Sequence, residues 1–440
     1  MSYTRRHFLW QAALAAPVLG AAAEAVGGAL EGGFPSHAAI GHGFGIAPGR
    51  VAWAHDPNSV RWDGKGFWWA SEHFDEKAIG RMLLRTLESV TNRQGAGAAL
   101  KALFEDFNLR HEGRLRGYRA GEKIAIKVNM NGAGAYGSEH PEATHESYGN
   151  AVLIRALLYS LVQEAGIEPG LITVYDAGRL FPEPMQAFCR EGGLQAVRFA
   201  HRRPGLADDA RPDRLAPLIW SSSVRGEKSY LPLCVTQAHY LINLANLKGH
   251  CYGLTLCAKN HFGSFVNSER MRAPQQAGLH GNVSSAAMGD YSVLTDLIAN
   301  RHLGGKTLLY LLDGLLTATG ESVALTAEAA RWSMPPFNGG FCASLFASQD
   351  PVAIDSVGAD FLMNEPNMLR RNPVLRGNVG VHNYLHEAAL ADKAPSGVAY
   401  RDGNGRRVAS LGVHEHWNDA EHKQYSGNLG RAGGIELVRV

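Results

Sequence analysis

The spacing of apolar positions changes along the chain and predicts alternating helices and strands. From residue 72 to residue 110 apolar side chains recur at helical spacing, as in Ile79, Met82, Leu83, Leu87 and Val90. Residues 123–129 alternate like a strand, a helix follows from Asn150 to Gly166, and residues 171–176 form the next strand. Strand, helix and strand in this order favour a parallel βαβ unit with a right-handed crossover.

The second half of the chain repeats this alternation. Residues 240–244 and 307–312 are apolar runs typical of buried strands, and a helix is predicted over 292–301 between them. Asp350 and Pro351 begin another helix, because Asp is a favourable N-cap and Pro is favoured in the first turn. The apolar face of that helix is formed by Val352, Ile354, Val357, Phe361 and Leu362.

The two ends of the chain lack this regular pattern. Residues 26–60 are rich in Gly, Ala, His and Pro, so we expect a linker or a wrapping segment there. The region from about residue 365 is rich in loops, and residues 435–440 could form an edge strand. The predicted fold is α/β, with a mostly parallel or mixed sheet flanked by helices, an irregular N-terminal segment and a loop-rich C-terminal region. The predicted divisions are a signal peptide at 1–25, a linker and helical segment at 26–115 and an α/β domain at 116–440.

Composition and charge narrow the class of protein. The chain has 440 residues, of which 45% are hydrophobic and 19% charged, which excludes a disordered chain, a coiled coil and a collagen-like fibre. Its 43 Lys and Arg residues nearly balance its 41 Asp and Glu residues. A net charge of +2 offers no basic footprint, so we expect no nucleic-acid partner and no attraction to an anionic membrane.

The first residues resemble a twin-arginine export signal. Arg5 and Arg6 precede a weakly apolar stretch from Leu9 to Ala23, and Ala21 and Ala23 fit an A-x-A cleavage site. This stretch is too short for a good membrane span, so no stable span is expected after signal removal. The partner would be the twin-arginine export machinery and the location periplasmic or otherwise exported. The alternative is a chance arginine pair before an amphipathic helix.

The five cysteines give no metal-binding pattern. They contain no C-x-x-C pair, so an iron–sulfur cluster or a zinc site is not predicted from their spacing. Because export through the twin-arginine pathway moves folded proteins, a cofactor inserted before export stays open, and a divalent metal ion is one option. An exported location would also permit a disulfide, with Cys251 and Cys257 as the nearest pair.

Polar side chains concentrate just after the apolar run that begins at residue 240. Lys248 and Lys259 could bind an anionic group as point charges, and His250 and His261 could act as acid–base groups or metal ligands. Ligands collect at the carboxyl ends of strands in open α/β sheets, which favours a binding site here. The alternative is a surface loop with solvated lysines.

Other strand ends add candidates. Lys127, Asn129, Asp176 and Asp313 each lie at the end of a predicted strand, where they could face one crevice or simply be solvated tips. Asp355 could reach the crevice from the helix that follows Asp350, whereas Asp350 itself is expected to act as the N-cap. Two weaker patterns are a G-x-G-x-x-G segment at 132–137 and the histidines at 382, 386, 414 and 416, which could bind metal.

At these residues the chain resembles the domain of unknown function 362 family, whose motifs occur in the same order from about residue 122 to residue 363. The matching pieces are Ile126-Lys127-Val128-Asn129, Val174-Tyr175-Asp176, Ile242-Asn243-Leu244, Lys248-Gly249-His250, Lys259-Asn260-His261-Phe262-Gly263, Leu312-Asp313-Gly314 and Ser348-Gln349-Asp350 with Asp355. The resemblance implies an α/β domain and no particular reaction. Some members carry an appended iron–sulfur module, but the closely spaced cysteines of such a module are missing here. The resemblance supports as site residues Lys127, Asn129, Lys248, His250, Lys259, Asn260, Asp313 and Asp355.

The function hypothesis is a crevice that binds a small anionic ligand, with metal-assisted catalysis as one form of it. In this hypothesis His250, Lys259 and Asp355 carry the chemistry, and Asp355 or Asp313 acts as base or metal ligand. The remaining candidate residues bind the ligand, namely Lys127, Asn129, Lys248, Asn260 and Asp313. The alternatives are a non-catalytic periplasmic binding or accessory protein and a redox protein that carries a cofactor.

Overall fold

The computed structural model describes residues 38–133, 144–201, 206–224, 228–267, 279–284, 286–321 and 323–440. The sequence-predicted export signal and most of the G-x-G-x-x-G segment lie outside these residues. The strands, in chain order, are β1 (Ile40–Gly41), β2 (Arg50–His55), β3 (Ile124–Val128), β4 (Ile172–Asp176), β5 (Arg198–His201), β6 (Pro212–Pro217), β7 (Ser229–Pro232), β8 (Tyr240–Asn246), β9 (Lys248–His250), β10 (Gly253–Thr255), β11 (Val266–Asn267), β12 (Thr307–Gly314), β13 (Ser344–Ser348), β14 (Val413–His414) and β15 (Glu436–Arg439).

Eleven α-helices occur in the described part of the chain. In chain order they are α1 (Glu76–Thr91), α2 (Ala96–Glu112), α3 (Ala151–Tyr159), α4 (Glu183–Cys189), α5 (Leu233–Thr236), α6 (Cys257–Asn260), α7 (Leu279–Ser284), α8 (Val293–Ala299), α9 (Pro351–Asn364), α10 (Pro366–Arg371) and α11 (Val379–Ala389). Within the described ranges, none of these helices combines the length and the apolar character that crossing a bilayer would require.

Eight strands form one mixed sheet in the order β15-β2-β13-β12-β8-β3-β4-β5. The strands β12, β8, β3, β4 and β5 are parallel, whereas β13 is antiparallel to both of its neighbours. Ile126 of β3 pairs with Val174 of β4 on one side and with Ile242 of β8 on the other. The mixed sheet flanked by helices confirms the predicted fold class. Because these strands are parallel, the carboxyl ends of β3, β4, β8 and β12 meet at one edge of the sheet.

Side chains of successive strand residues enter two separate apolar layers. Ile126 and Ile242 pack in the layer that also contains Leu83 of α1 and Leu157 of α3. Leu241, the residue before Ile242 on β8, packs instead in the layer that contains α9 and α11. The sheet is therefore covered by helices on both faces, which explains why its central strands are mostly apolar.

Two predicted elements differ from the structure, and a third is confirmed. The stretch predicted as a linker contains β2, which lies inside the sheet, so that prediction is wrong for residues 50–55. Both faces of β2 are buried, and its sequence therefore lacks the polar–apolar alternation that would have revealed it. The single helix predicted over 72–110 is two helices, because Asn92 adopts a left-handed conformation with φ of 53° and ends α1. The edge strand predicted at the C-terminus is confirmed as β15.

Candidate functional site

Lys127 braces the carboxyl ends of β3 and β4 against α6. Its fully buried ammonium group donates to Asp176 Oδ2 at 3.1 Å, to Asn260 Oδ1 at 3.0 Å and to the carbonyl of Val128. Burial lowers the pKa of Lys127, and the charge of Asp176 opposes that shift. A Cβ on Gly263 would lie 2.9 Å from Lys127 Nζ, so only glycine fits beside this group. All three ammonium hydrogens thus have an acceptor.

A second layer of hydrogen bonds continues from this brace into α6. Asn260 donates to Asn243 Oδ1 at 2.8 Å, and Asn243 Nδ2 lies 3.1 Å from His261 Nε2. The other ring nitrogen of His261 lies 2.9 Å from Ser264 Oγ. Burial lowers the pKa of His261 to about 3, so the ring is neutral with both nitrogens engaged. This geometry gives His261 a structural place in the network.

Lys248 lies on the short strand β9, directly beyond the end of β8. Its buried Nζ donates to the carbonyl of Ser147 at 2.8 Å, its one hydrogen-bond partner among the described residues. Burial lowers the pKa of Lys248 to about 8, although Glu321 and Glu146 oppose the shift. Two ammonium hydrogens are left for a ligand or for water.

Lys259 faces two imidazole rings from the C-terminal half of α6. Its Nζ lies 3.1 Å from His280 Nε2 and 3.4 Å from His250 Nε2, and it sits 4.0 Å above the centre of the Phe262 ring. Burial lowers the pKa of Lys259 to about 7 and that of His250 well below its ordinary value. Among the described atoms, His280 Nδ1 is buried without a hydrogen-bond partner. The structure therefore brings Lys259 and His250 close together and adds His280, while the chemical roles predicted for Lys259 and His250 stay predictions.

Arg179 is a further cation of this region that the sequence analysis missed. It follows Asp176 by three residues, and its guanidinium donates to Asn131 Oδ1 at 2.8 Å and to the carbonyl of Gly178 at 3.1 Å. Burial lowers its pKa, and the carboxylates of Asp176 and Glu146 oppose that shift. Its position just after a strand end could have revealed it, by the same reasoning that selected Asp176.

The three candidate carboxylates are all engaged by protein donors. Asp313 accepts the backbone N–H groups of Asn150 at 3.0 Å and Leu315 at 3.1 Å, and burial raises its pKa to about 6. Asp350 caps α9, as predicted. Asp355 holds the N-terminus of α6 through the N–H groups of residues 257 and 258, at 2.8 and 3.0 Å, and also accepts the Tyr384 hydroxyl. Burial raises the pKa of Asp355 to about 6. Its predicted chemical role and the ligand-binding role of Asp313 stay predictions.

Two asparagines complete the strand ends. Asn129 is 7% exposed, and its Oδ1 accepts the N–H of Asn131 at 3.3 Å. Asn246, the last residue of β8, donates through Nδ2 to the carbonyl of Tyr148 at 3.2 Å. Its Oδ1 is buried without a hydrogen-bond partner in the described part of the chain. A buried acceptor of this kind costs stability unless water or a ligand donates to it.

The disulfide that an exported location would permit is not formed in the structure. All five cysteines are free thiols, and Cys251 and Cys257 are not joined.

The histidines at 382, 386, 414 and 416 form a cluster of their own, with neighbouring ring centres 4.9–5.0 Å apart. His416 Nδ1 lies 2.6 Å from Asp360 Oδ1 in that cluster.

An aromatic cleft of about 660 Å³ lies behind the segment that Lys248 contacts. Phe67, Trp69, Tyr148 and Phe188 are among its lining residues. Tyr148 follows Ser147, whose carbonyl accepts a hydrogen bond from Lys248. The cleft is mostly apolar and holds none of the predicted site residues.

Fold and site together define an α/β protein with a cluster of buried cations at the carboxyl ends of parallel strands. The sequence model of the domain of unknown function family DUF362 matches residues 124–360. Because this match spans more than half of the chain, the protein belongs to that family. The comparison with curated proteins finds no match.

Proposed function

We propose that this chain is an exported protein that binds a small ligand with a phosphate or carboxylate group in a cationic crevice. The observation that carries the proposal is the set of cations formed by the buried Lys248 and Lys259 and the half-buried Arg179. None of the three forms an ion pair with a carboxylate of the described residues, whereas Lys127 is paired with Asp176. Nearby carboxylates such as Glu321 offset the burial of these cations only in part, so an anionic ligand in direct contact with them would stabilise this arrangement.

The residues divide into two groups in this proposal. Lys248 and Lys259 hold the anion as point charges, since their ammonium groups retain donors that the described protein atoms do not use. Lys127 and Asn260 position α6, which carries Lys259, because their own hydrogen bonds are made within the protein. Asn246 Oδ1 adds an unused buried acceptor at the same strand end.

Two forms of the proposal differ in the fate of the bound ligand. A metal-assisted enzyme would use His250 and Lys259 for proton transfer to or from that ligand. A periplasmic binding or accessory protein would use the same crevice for capture and delivery alone. Turnover of any member of a substrate panel distinguishes them. A redox protein with a cofactor is a separate candidate, and a visible absorbance spectrum of the purified protein tests it.

The test begins with the full chain, recovered from the periplasm of an expressing cell. A mature protein that begins at Glu24 would support export and cleavage after Ala23. Isothermal titration with inorganic phosphate, phosphate monoesters and dicarboxylates then measures binding. We expect one ligand per chain, and about tenfold or greater weakening in both Lys248→Ala and Lys259→Ala.

The matched control is Lys101→Ala, because that side chain is 71% exposed on α2 and its loss removes the same charge. It should bind like the unmodified protein, and thermal unfolding of the two crevice variants should change little. Failure of every probe to bind would contradict the proposal. Loss of the fold in both crevice variants would assign these lysines to stability instead.

A further inference from the structure

Three metal-binding atoms of different chemistry converge at the end of β9. His250 Nδ1 lies 3.8 Å from Cys251 Sγ and 3.7 Å from Glu321 Oε2, and the three ligand atoms all lie within 4.8 Å of one another. We propose that His250, Cys251 and Glu321 form a binding site for one zinc-class divalent cation. This proposal concerns a site beside the anion crevice, and it does not depend on anion binding.

The backbone holds these residues together across a long sequence separation. Gly249 N–H donates to the carbonyl of Ala318 at 3.0 Å, and a Cβ on Gly249 would lie only 2.2 Å from the carbonyl oxygen of Thr319. Glycine therefore lets β9 lie directly against the segment that leads to Glu321. Asn372 links the two segments by donating to the carbonyls of His250 at 3.3 Å and Thr319 at 2.7 Å.

The separations fit ligands that share one ion. Zinc binds nitrogen and oxygen at about 2.0–2.1 Å and sulfur at about 2.3 Å, so tetrahedral ligands lie roughly 3.3–3.8 Å apart. The separations from His250 Nδ1, 3.7 Å to oxygen and 3.8 Å to sulfur, exceed the values for such nitrogen–oxygen and nitrogen–sulfur pairs, roughly 3.4 and 3.6 Å, by only a few tenths of an ångström. Nitrogen, sulfur and oxygen donors together favour zinc or cobalt over magnesium or calcium, which bind oxygen ligands.

Charge and access also suit a metal ion. A Cys251 thiolate and the Glu321 carboxylate balance the two charges of the cation, which matters because Lys248 and Lys259 lie nearby. The N–H of Cys251 donates to Glu321 Oε2 at 2.8 Å and orients that carboxylate. Cys251 is exposed, so an ion can enter from solvent. The N–H of Tyr252, which donates to His250 Nδ1 at 3.1 Å, would release that nitrogen on binding.

The site adjoins the crevice through a single ring. His250 presents Nδ1 to the proposed metal site and Nε2 to Lys259 Nζ, 3.4 Å away. Three protein ligands leave one tetrahedral position open, as in zinc sites that bind water or substrate. A metal ion there would add positive charge at the edge of the anion crevice.

The experiment uses the full chain, stripped of metal with a chelator and then titrated with Zn²⁺ or Co²⁺ alone. We expect one ion per chain, and the cobalt form should show a thiolate-to-cobalt charge-transfer band and visible d–d bands of tetrahedral geometry. Cys251→Ser and Glu321→Gln should each weaken the affinity by about tenfold or more, and Cys251→Ser should abolish the charge-transfer band.

The matched controls are Cys234→Ser and Glu328→Gln, which change the same residue types away from the site. Both should bind the metal like the unmodified protein. Three outcomes would overturn the proposal: no stoichiometric binding of either ion, a preference for Mg²⁺, or binding that Cys251→Ser and Glu321→Gln leave unchanged. Since no lysine is altered, these results are independent of whether phosphate or carboxylate ligands bind.

Discussion

Two lysines at opposite ends of neighbouring parallel strands, the half-buried Lys306 and the fully buried Lys248, differ in how fully their ammonium groups are hydrogen-bonded. Lys306 directly precedes β12. Its Nζ donates to the carbonyls of Val235, Thr236 and Ala238, at 3.2, 2.9 and 2.6 Å respectively. Lys248 lies beyond the carboxyl end of β8 and donates, among the described residues, only to Ser147. Burial lowers the pKa of both lysines to about 8.

Burial and a lowered pKa therefore do not distinguish a binding residue from a structural one. An ammonium group has three hydrogens, and each needs an acceptor when it is removed from water. Lys306 has three protein acceptors, so all of its ammonium hydrogens are hydrogen-bonded within the fold. Lys248 has one, and the balance of its hydrogen bonds must come from water or from a ligand. The unused donors of Lys248 are the reason why we propose the binding site at the carboxyl ends of the strands.

Removing Lys306, the lysine whose ammonium group is fully hydrogen-bonded, should have the largest effect on stability. Lys306→Ala removes a donor from three carbonyl oxygens, of which that of Val235 keeps the N–H of Ala238, so we expect the free energy of unfolding to fall by about 3 kcal/mol. Urea denaturation measures this loss, and phosphate titration at low temperature should show unchanged affinity. Lys101→Ala, an exposed control, should be neutral within about 0.5 kcal/mol. A stable Lys306→Ala variant with weakened phosphate binding would reverse the comparison.

Asp355 extends the comparison to an acid at the site itself. Its carboxylate accepts hydrogen bonds from three protein donors. We expect Asp355→Asn to lower the free energy of unfolding by about 2 kcal/mol, because the NH₂ group of the new amide would face an N–H donor of α6 instead of accepting from it. Phosphate affinity should change less than about threefold, since Lys259 keeps its place on α6. Chemical denaturation and phosphate titration of the same preparation measure both. Full stability with lost binding or turnover would instead give Asp355 the chemical role predicted from the sequence.

The sequence predicted most of the strands near the site but few of the hydrogen-bond partners of the side chains at the strand ends. Lys127 and Asp176 were located because each ends a strand with clear alternation. The hydrogen bonds of the Lys127 ammonium group are completed by Asn260, a residue far along the chain that no local sequence pattern links to Lys127. Glu321 was missed for the same reason, since its place beside His250 follows from the close contact at Gly249.

The pH dependence of stability at Asp296, a buried acid away from the crevice, tests how far protein hydrogen bonds offset burial. Asp296 accepts the N–H of Ser221 at 2.7 Å, the hydroxyl of the same serine and the hydroxyl of Tyr291. Burial nevertheless raises its pKa from 3.8 to about 6. The folded chain therefore binds this proton at higher pH than the unfolded chain does, and stability from protonation is lost as pH rises through about 6. The rings that face the carboxylate, those of Tyr291 and Tyr400, stay neutral over this range.

The Asp296→Asn variant isolates this contribution, because asparagine resembles the protonated acid and does not titrate. Between pH 7.5 and pH 5 the unmodified protein should gain about 1.4 kcal/mol of unfolding free energy more than the variant does. Urea denaturation of both proteins at the two pH values gives this difference directly, and other buried acids cancel from it. An equal pH dependence would mean that three hydrogen bonds offset the burial of Asp296 completely. A full set of protein partners would then keep a buried group in its charged form, which would strengthen the contrast between Lys306 and Lys248.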